Sequence, residues 1–201
     1  MAEVERQQMS KEYIGFISLI LVLASTAPYV IAVFRGETKP HLFSWIMWTI
    51  PTAIVFAGQA VSSAGPGGWA TGLTLICNIF IVIQSLKYAE KNISKNDWFF
   101  LIAGLAAIPL WMMTKEPLYS VILVTITDIC GYGPTVRKSW KAPYEENALA
   151  YFLLLPKHIA SLLAMESFSA VNILFPIAMI IVNGALVGFL LLRRKQLAQI
   201  S

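Results

Sequence analysis

The sequence predicts an all-α integral membrane protein with seven transmembrane helices. Three observations point there. Of 201 residues, 57% are hydrophobic and only 13% charged, with mean hydropathy +0.68. A soluble domain carries about 25% charged residues, so lipid must cover most of this surface. The apolar residues fall in long runs separated by short polar links. Unusual residues inside those runs recur at one spacing, which predicts a duplicated unit.

A span needs about 20 mostly apolar residues, within a range of about 17–25. Seven segments come near this: 13–34, 42–61, 69–86, 98–113, 117–136, 147–165 and 168–192. The fourth is the shortest and lies between Asp97 and Lys115. Joining it to a neighbour would bury charge, so it stands alone. The links leave no room for a soluble domain, and 1–201 reads as a single membrane domain. The start, MAEVERQQMSK, is polar and lacks a small-residue cleavage site, unlike a signal peptide.

Orientation follows from the basic residues. Arg35, Lys39, Lys87, Lys91, Lys95, Arg137, Lys138, Lys141, Arg193, Arg194 and Lys195 fall on one side; Arg6, Lys11 and Lys115 fall on the other. The positive-inside rule places the N-terminus outside and the C-terminus in the cytoplasm. Lys157 is the one basic residue left inside a span. The net charge of +4 is divided among short loops, which argues against a nucleic-acid partner. The expected partners are the lipid bilayer and a small polar solute, with homo-oligomerisation left open. Short loops and no targeting signal point to a multi-pass protein of a cell membrane, such as a bacterial inner membrane.

Cys77 and Cys130 both lie in apolar segments and are expected as buried thiols rather than a disulfide. The sequence has no HExxH, no GxSxG, no phosphate-cradling glycine loop and no Cys/His cluster. It therefore predicts no enzyme, no metal and no cofactor. GPGG at 65–68 reads as an outer turn.

The repeat rests on matched pairs. Pro28 and Pro134 are 106 apart, Pro40 and Pro143 are 103, Trp48 and Tyr151 are 103, Pro51 and Pro156 are 105, and Asn78 and Asn183 are 105. The basic clusters follow the same order, as do SSAGPGG and the short ESFS turn. Residues 13–86 and 117–192 are thus two three-helix units. The segment 98–113 links them and makes both face the same way, a parallel repeat about the membrane normal.

On these residues the chain resembles the SWEET sugar transporters and the wider PQ-loop (MtN3-like) group. Those proteins combine a 3+1+3 arrangement, a proline in the first two helices of each repeat and an asparagine in the third. The counterparts are Pro28, Pro51 and Asn78, then Pro134, Pro156 and Asn183. The resemblance covers 13–192. The glutamine of the PQ dipeptide is absent, because Tyr29 and Thr135 follow the prolines. It implies a carrier that rocks two repeats about a central site, with a sugar-like solute as first choice. PnuC-type vitamin/nucleoside carriers share the layout; their tryptophan-dense motif is absent here, though SWIMW at 44–48 has the same flavour. Proton-coupled PQ-loop amino-acid carriers are a further alternative. The KDEL receptor, which has this fold and binds a peptide without transporting it, represents a different class. A retinal photoreceptor is excluded by the lack of lysine in 168–192.

Depth selects the candidate site. Counting along the spans at 1.5 Å per residue, Asn78, Asp128, Lys157, His158 and Asn183 fall near the middle of a core about 30 Å thick. Ser25, Thr26 and Thr52 lie at similar depth. An ionised Asp or Lys at the bilayer centre costs at least about 2.5–3.5 kcal/mol, so Asp128 and Lys157 must face each other or a polar interior. They are expected as an ion pair, as contacts to a charged or zwitterionic solute, or, for Asp128, as a proton-coupling group. His158 can relay a proton. Asn78 and Asn183 can bond solute hydroxyls. Trp48 and Tyr151 can stack on a solute or close an inner gate. Pro28, Pro51, Pro134 and Pro156 remove backbone donors and are expected as hinges. Gln59 and Gln84 receive no role.

Overall fold

The computed structural model describes residues 2–35, 42–88, 98, 102, 106, 109, 112–141, 143–145 and 148–199. Six α-helices run through them: α1 (Ala2–Phe34), α2 (Leu42–Val61), α3 (Trp69–Tyr88), α4 (Pro117–Lys141), α5 (Ala148–Leu163) and α6 (Ala170–Ala198). Short 3-10 helices lie at Gly65–Gly68 and Pro143–Glu145, and no strand occurs among the described residues. The described positions between 98 and 114 are helical; the linking segment 98–113 otherwise lies outside the described residues.

Three stretches are long and apolar enough to cross a membrane: Glu5–Ile31, Gly65–Leu86 and Ala170–Ala198. Shorter apolar stretches occupy Trp48–Val61, Pro117–Cys130 and Tyr151–Leu163. In α5 the reason is length: at 1.5 Å per residue its 16 residues span about 24 Å, less than a core of about 30 Å.

The side-chain distribution is compatible with a lipid surrounding. Large apolar residues face outward, among them Phe16, Ile20, Ile76, Ile83, Ile181 and Leu192. The interior holds Ser18, Gln59, Asn78, Ser85, Thr125, Ser161, Asn172 and Asn183. With no water in hydrocarbon, these polar groups must find partners inside the protein. Several hydroxyls bond the preceding turn of their own helix: Thr52 to the Trp48 carbonyl at 2.7 Å, Thr125 to Val121 at 2.6 Å and Ser85 to Ile81 at 2.7 Å.

α1 and α2 both pack on α3, and α4 and α5 both pack on α6. Between these groups, α1 meets α5, α2 meets α4, α2 meets α6 and α3 meets α5. Exchanging α1 with α4, α2 with α5 and α3 with α6 maps this set of contacts onto itself. A small apolar core of Ile54, Val55, Val121 and Val124 joins α2 to α4.

The structure adds to the sequence readings at two places and changes one. Residues 2–12 are helical, because Ala, Glu, Arg, Gln and Lys are strong helix formers and extend α1 beyond its apolar run. Cys130 is exposed rather than buried; α4 turns it away from the interior, while Cys77 is partly buried, and both thiols are free. The Gly65–Gly68 connection between α2 and α3 is a short 3-10 helix in which Pro66, Gly67 and Gly68 are buried.

The Gly65–Gly68 segment knits the two helix groups together. Ser161 of α5 donates to the Gly67 carbonyl at 2.5 Å, and the Glu166 amide donates to the Ala64 carbonyl at 3.1 Å. Asn172 Nδ2 donates to the Ser62 carbonyl at 2.9 Å and the Ser167 carbonyl at 2.8 Å. Gln59 Nε2 donates to the Asn172 carbonyl at 3.4 Å, and Gln8 of α1 donates to Glu166. Gln59, left without a role by the sequence, is therefore part of this seal. Glycine is required here: Gly65 has φ +60°, and a Cβ on Gly67 would sit 2.7 Å from Met165 Cα.

Candidate functional site

One cavity of about 290 Å³ lies between the two helix groups. Trp48 and Thr52 of α2 and Thr71, Thr74 and Asn78 of α3 form one wall. Asp128 and Tyr132 of α4, and Tyr151, Leu154, Lys157 and His158 of α5, face it. Phe175, Met179 and Asn183 of α6 complete the lining.

All seven polar and aromatic residues expected at the site line this cavity: Trp48, Asn78, Asp128, Tyr151, Lys157, His158 and Asn183. Pro28, Pro51 and Pro156 do not. Pro28 is exposed on α1, Pro51 is buried in α2 and Pro156 is partly buried in α5, each within a continuous helix. Pro134 lies within α4, and its side chain is outside the described residues. Ser25 bonds the Val22 carbonyl of its own helix at 2.9 Å, and neither it nor Thr26 lines the cavity.

The two asparagines sit differently. Asn78 Nδ2 donates to Thr52 Oγ1 on α2 at 3.4 Å. Thr52 stands 105 residues before Lys157, the same spacing that relates Asn78 to Asn183. An ammonium offers no acceptor, so Asn183 has no such partner on α5. Its Nδ2 instead donates to the Met179 carbonyl at 2.7 Å, and its Oδ1 accepts from Tyr132 on α4 at 3.2 Å. Helix-to-helix bonding and cavity lining thus coexist in both amides.

Lys157 and His158 are 7% and 6% exposed, buried on a helix that should hold neither. Asp128 and Lys157 act on each other electrostatically. Among the described residues, no hydrogen bond or close ion pair joins them. α4 and α5 each pack on α6 rather than extensively on one another, so the two charges reach the cavity from different helices. The His158 ring meets Phe175 edge-on, 6.1 Å between centroids.

Aromatic rings gather at the Trp48 and Tyr151 end. Trp48 meets Trp45 at 5.2 Å, and Trp45 donates to the Tyr29 hydroxyl at 3.0 Å. Across the cavity Tyr132 lies 6.4 Å from Tyr151. Half-exposed Trp48 stays accessible.

Sequence reading missed Tyr132, Thr71, Thr74, Leu154, Phe175 and Met179. Helical spacing held the signal: Tyr132 is four residues after Asp128, and Thr71, Thr74 and Asn78 follow an i, i+3, i+7 stripe. No family model, no curated protein and no solved structure matches the chain.

Proposed function

We propose that the chain is a membrane carrier that moves a small polar solute by alternating access around this cavity. The single observation that carries the reading is a polar, charged cavity held between two similarly connected helix groups inside a lipid-facing exterior. In this reading the seven segments are spans in a 3+1+3 parallel repeat, with the N-terminus outside. The exchange symmetry of the helix contacts and the paired asparagines support it. The resemblance to SWEET and PQ-loop carriers supports it too, and brings a sugar-like solute as the first expectation.

Rocking of the two groups would have to break the contacts of Ser161 to Gly67, Glu166 to Ala64 and Asn172 to Ser62. The matched prolines would serve as the hinges, since each removes a helix hydrogen bond.

The test is flux. Purified protein in liposomes should give saturable uptake of a labelled solute from a panel of sugars, vitamins and amino acids, accelerated by unlabelled solute on the far side. Saturable binding with no flux across the whole panel would sink the carrier and favour a receptor, which the membrane-embedded charges would also serve.

A further inference from the structure

We infer that the solute is a zwitterion: its anionic group is held by Lys157, and its cationic group by Asp128 and the adjacent aromatic rings. This rests on the carrier reading for its transport but on the cavity alone for its binding.

The two charges are the least expected groups in the molecule. Each is costly in a membrane interior, and the cheapest remedy is a direct ion pair with satisfied hydrogen bonds. The fold does not take it. Asp128 and Lys157 line one cavity from different helices, and among the described residues no close ion pair joins them. Both helices pack on α6, and both side chains line the same cavity. A solute bridging that gap supplies both missing partners at once.

Charge balance selects the class. The cavity wall carries one acid and one ammonium, and together they sum to zero. A zwitterion keeps the loaded site neutral, with each charge matched. A solute of net charge unbalances the site, and a neutral polyol offers hydrogen bonds but no counter-charge to either group.

The lining also assigns the ends. Asp128 lies one helical turn before Tyr132, whose ring neighbours Tyr151 at 6.4 Å. A carboxylate beside aromatic faces suits an ammonium, including a methylated one, through cation–π attraction. Lys157 stands beside His158, with no acid next to it on α5, and suits a carboxylate. The opposite wall, Thr52, Thr71, Thr74 and Asn78, is uncharged and can hydrogen-bond the body of the solute. The volume of about 290 Å³ has room for about ten water-sized groups, so the solute is small.

Two readouts on the intact protein test this: equilibrium binding in detergent and flux in liposomes. The probes are labelled glycine betaine and a labelled mixture of the protein amino acids. The competitors are choline, propionate and glucose, which present the cation, the anion and neither. A zwitterion should bind saturably, and each competitor should be at least about tenfold weaker. Lys157→Met and Asp128→Asn should each weaken zwitterion binding at least about tenfold. Should either variant fail to fold, the competitor series on the wild-type chain still decides. Binding or flux of glucose without any zwitterion overturns the inference and leaves the carrier standing. Zwitterion binding without flux of any probe overturns the carrier and leaves the inference standing. No binding of any zwitterion probe overturns the inference.

Discussion

The two walls of the cavity come from corresponding helices and do opposite things. On α2 and α3 the wall is threonine and asparagine, and its amide is satisfied by a neighbouring hydroxyl, Asn78 to Thr52. On α4, α5 and α6 the wall holds Asp128, Lys157 and His158, and its amide turns to Tyr132. The position that is Thr52 on one wall is Lys157 on the other. A hydroxyl bonds its own helix and its neighbour; an ammonium does neither cheaply. One helix group therefore lines the cavity with a neutral wall and the other with a charged one.

The largest effect should come from erasing that difference. Lys157→Thr, which copies the first wall onto the second, should lower uptake by about tenfold or more, read as initial rate in liposomes. Unchanged uptake would mean that the lysine touches no solute. Asn78→Ala and Asn183→Ala should each abolish transport while the protein still folds. Asn183→Ala should also release Tyr132, seen as greater quenching of tyrosine fluorescence by a polar quencher. Wild-type transport in both variants would remove the amides from the site.

A pH gradient sharpens the role of Asp128. If its carboxylate holds the cationic end of a solute, a pH gradient alone should not drive uptake. Gradient-driven uptake that vanishes in Asp128→Asn would instead assign it to proton coupling.

Smaller effects lie at the seal. Gly67→Ala should destabilise by about 1–3 kcal/mol, because its Cβ would overlap the Met165 backbone. Gly188→Ala, where a Cβ meets nothing within 4 Å, should be neutral or slightly stabilising. Thermal unfolding in detergent compares the pair, and equal effects would show that the Gly67 approach does not matter. Ser161→Ala should cost about 1 kcal/mol through its bond to the Gly67 carbonyl.

Much of this was legible in one dimension, for a physical reason. Lipid forces apolar runs, so the bounds of α2 and the start of α3 follow from hydropathy alone. Depth along a helix is a linear measure, so Asn78, Asp128, Lys157, His158 and Asn183 could be placed at one level before any packing was known. Tyr132 and Met179 were legible in principle as one-turn neighbours of Asp128 and Asn183. The roles of Gln59 and Asn172 were not. Their partners lie more than a hundred residues away, and nothing local distinguishes a buried amide in a seal from an exposed one near a helix end.

What the sequence determined by itself is a strongly apolar helical chain with Asp128 and Lys157 inside apolar segments, because composition and rise per residue are local properties. What only the tertiary structure decided is the relation between those residues. Asp128 and Lys157 line one cavity from different helices, because both helices pack on α6. GPGG is a buried seal, because glycine lets its backbone close on Met165. Those outcomes depend on which helix faces meet, and faces meet only in three dimensions.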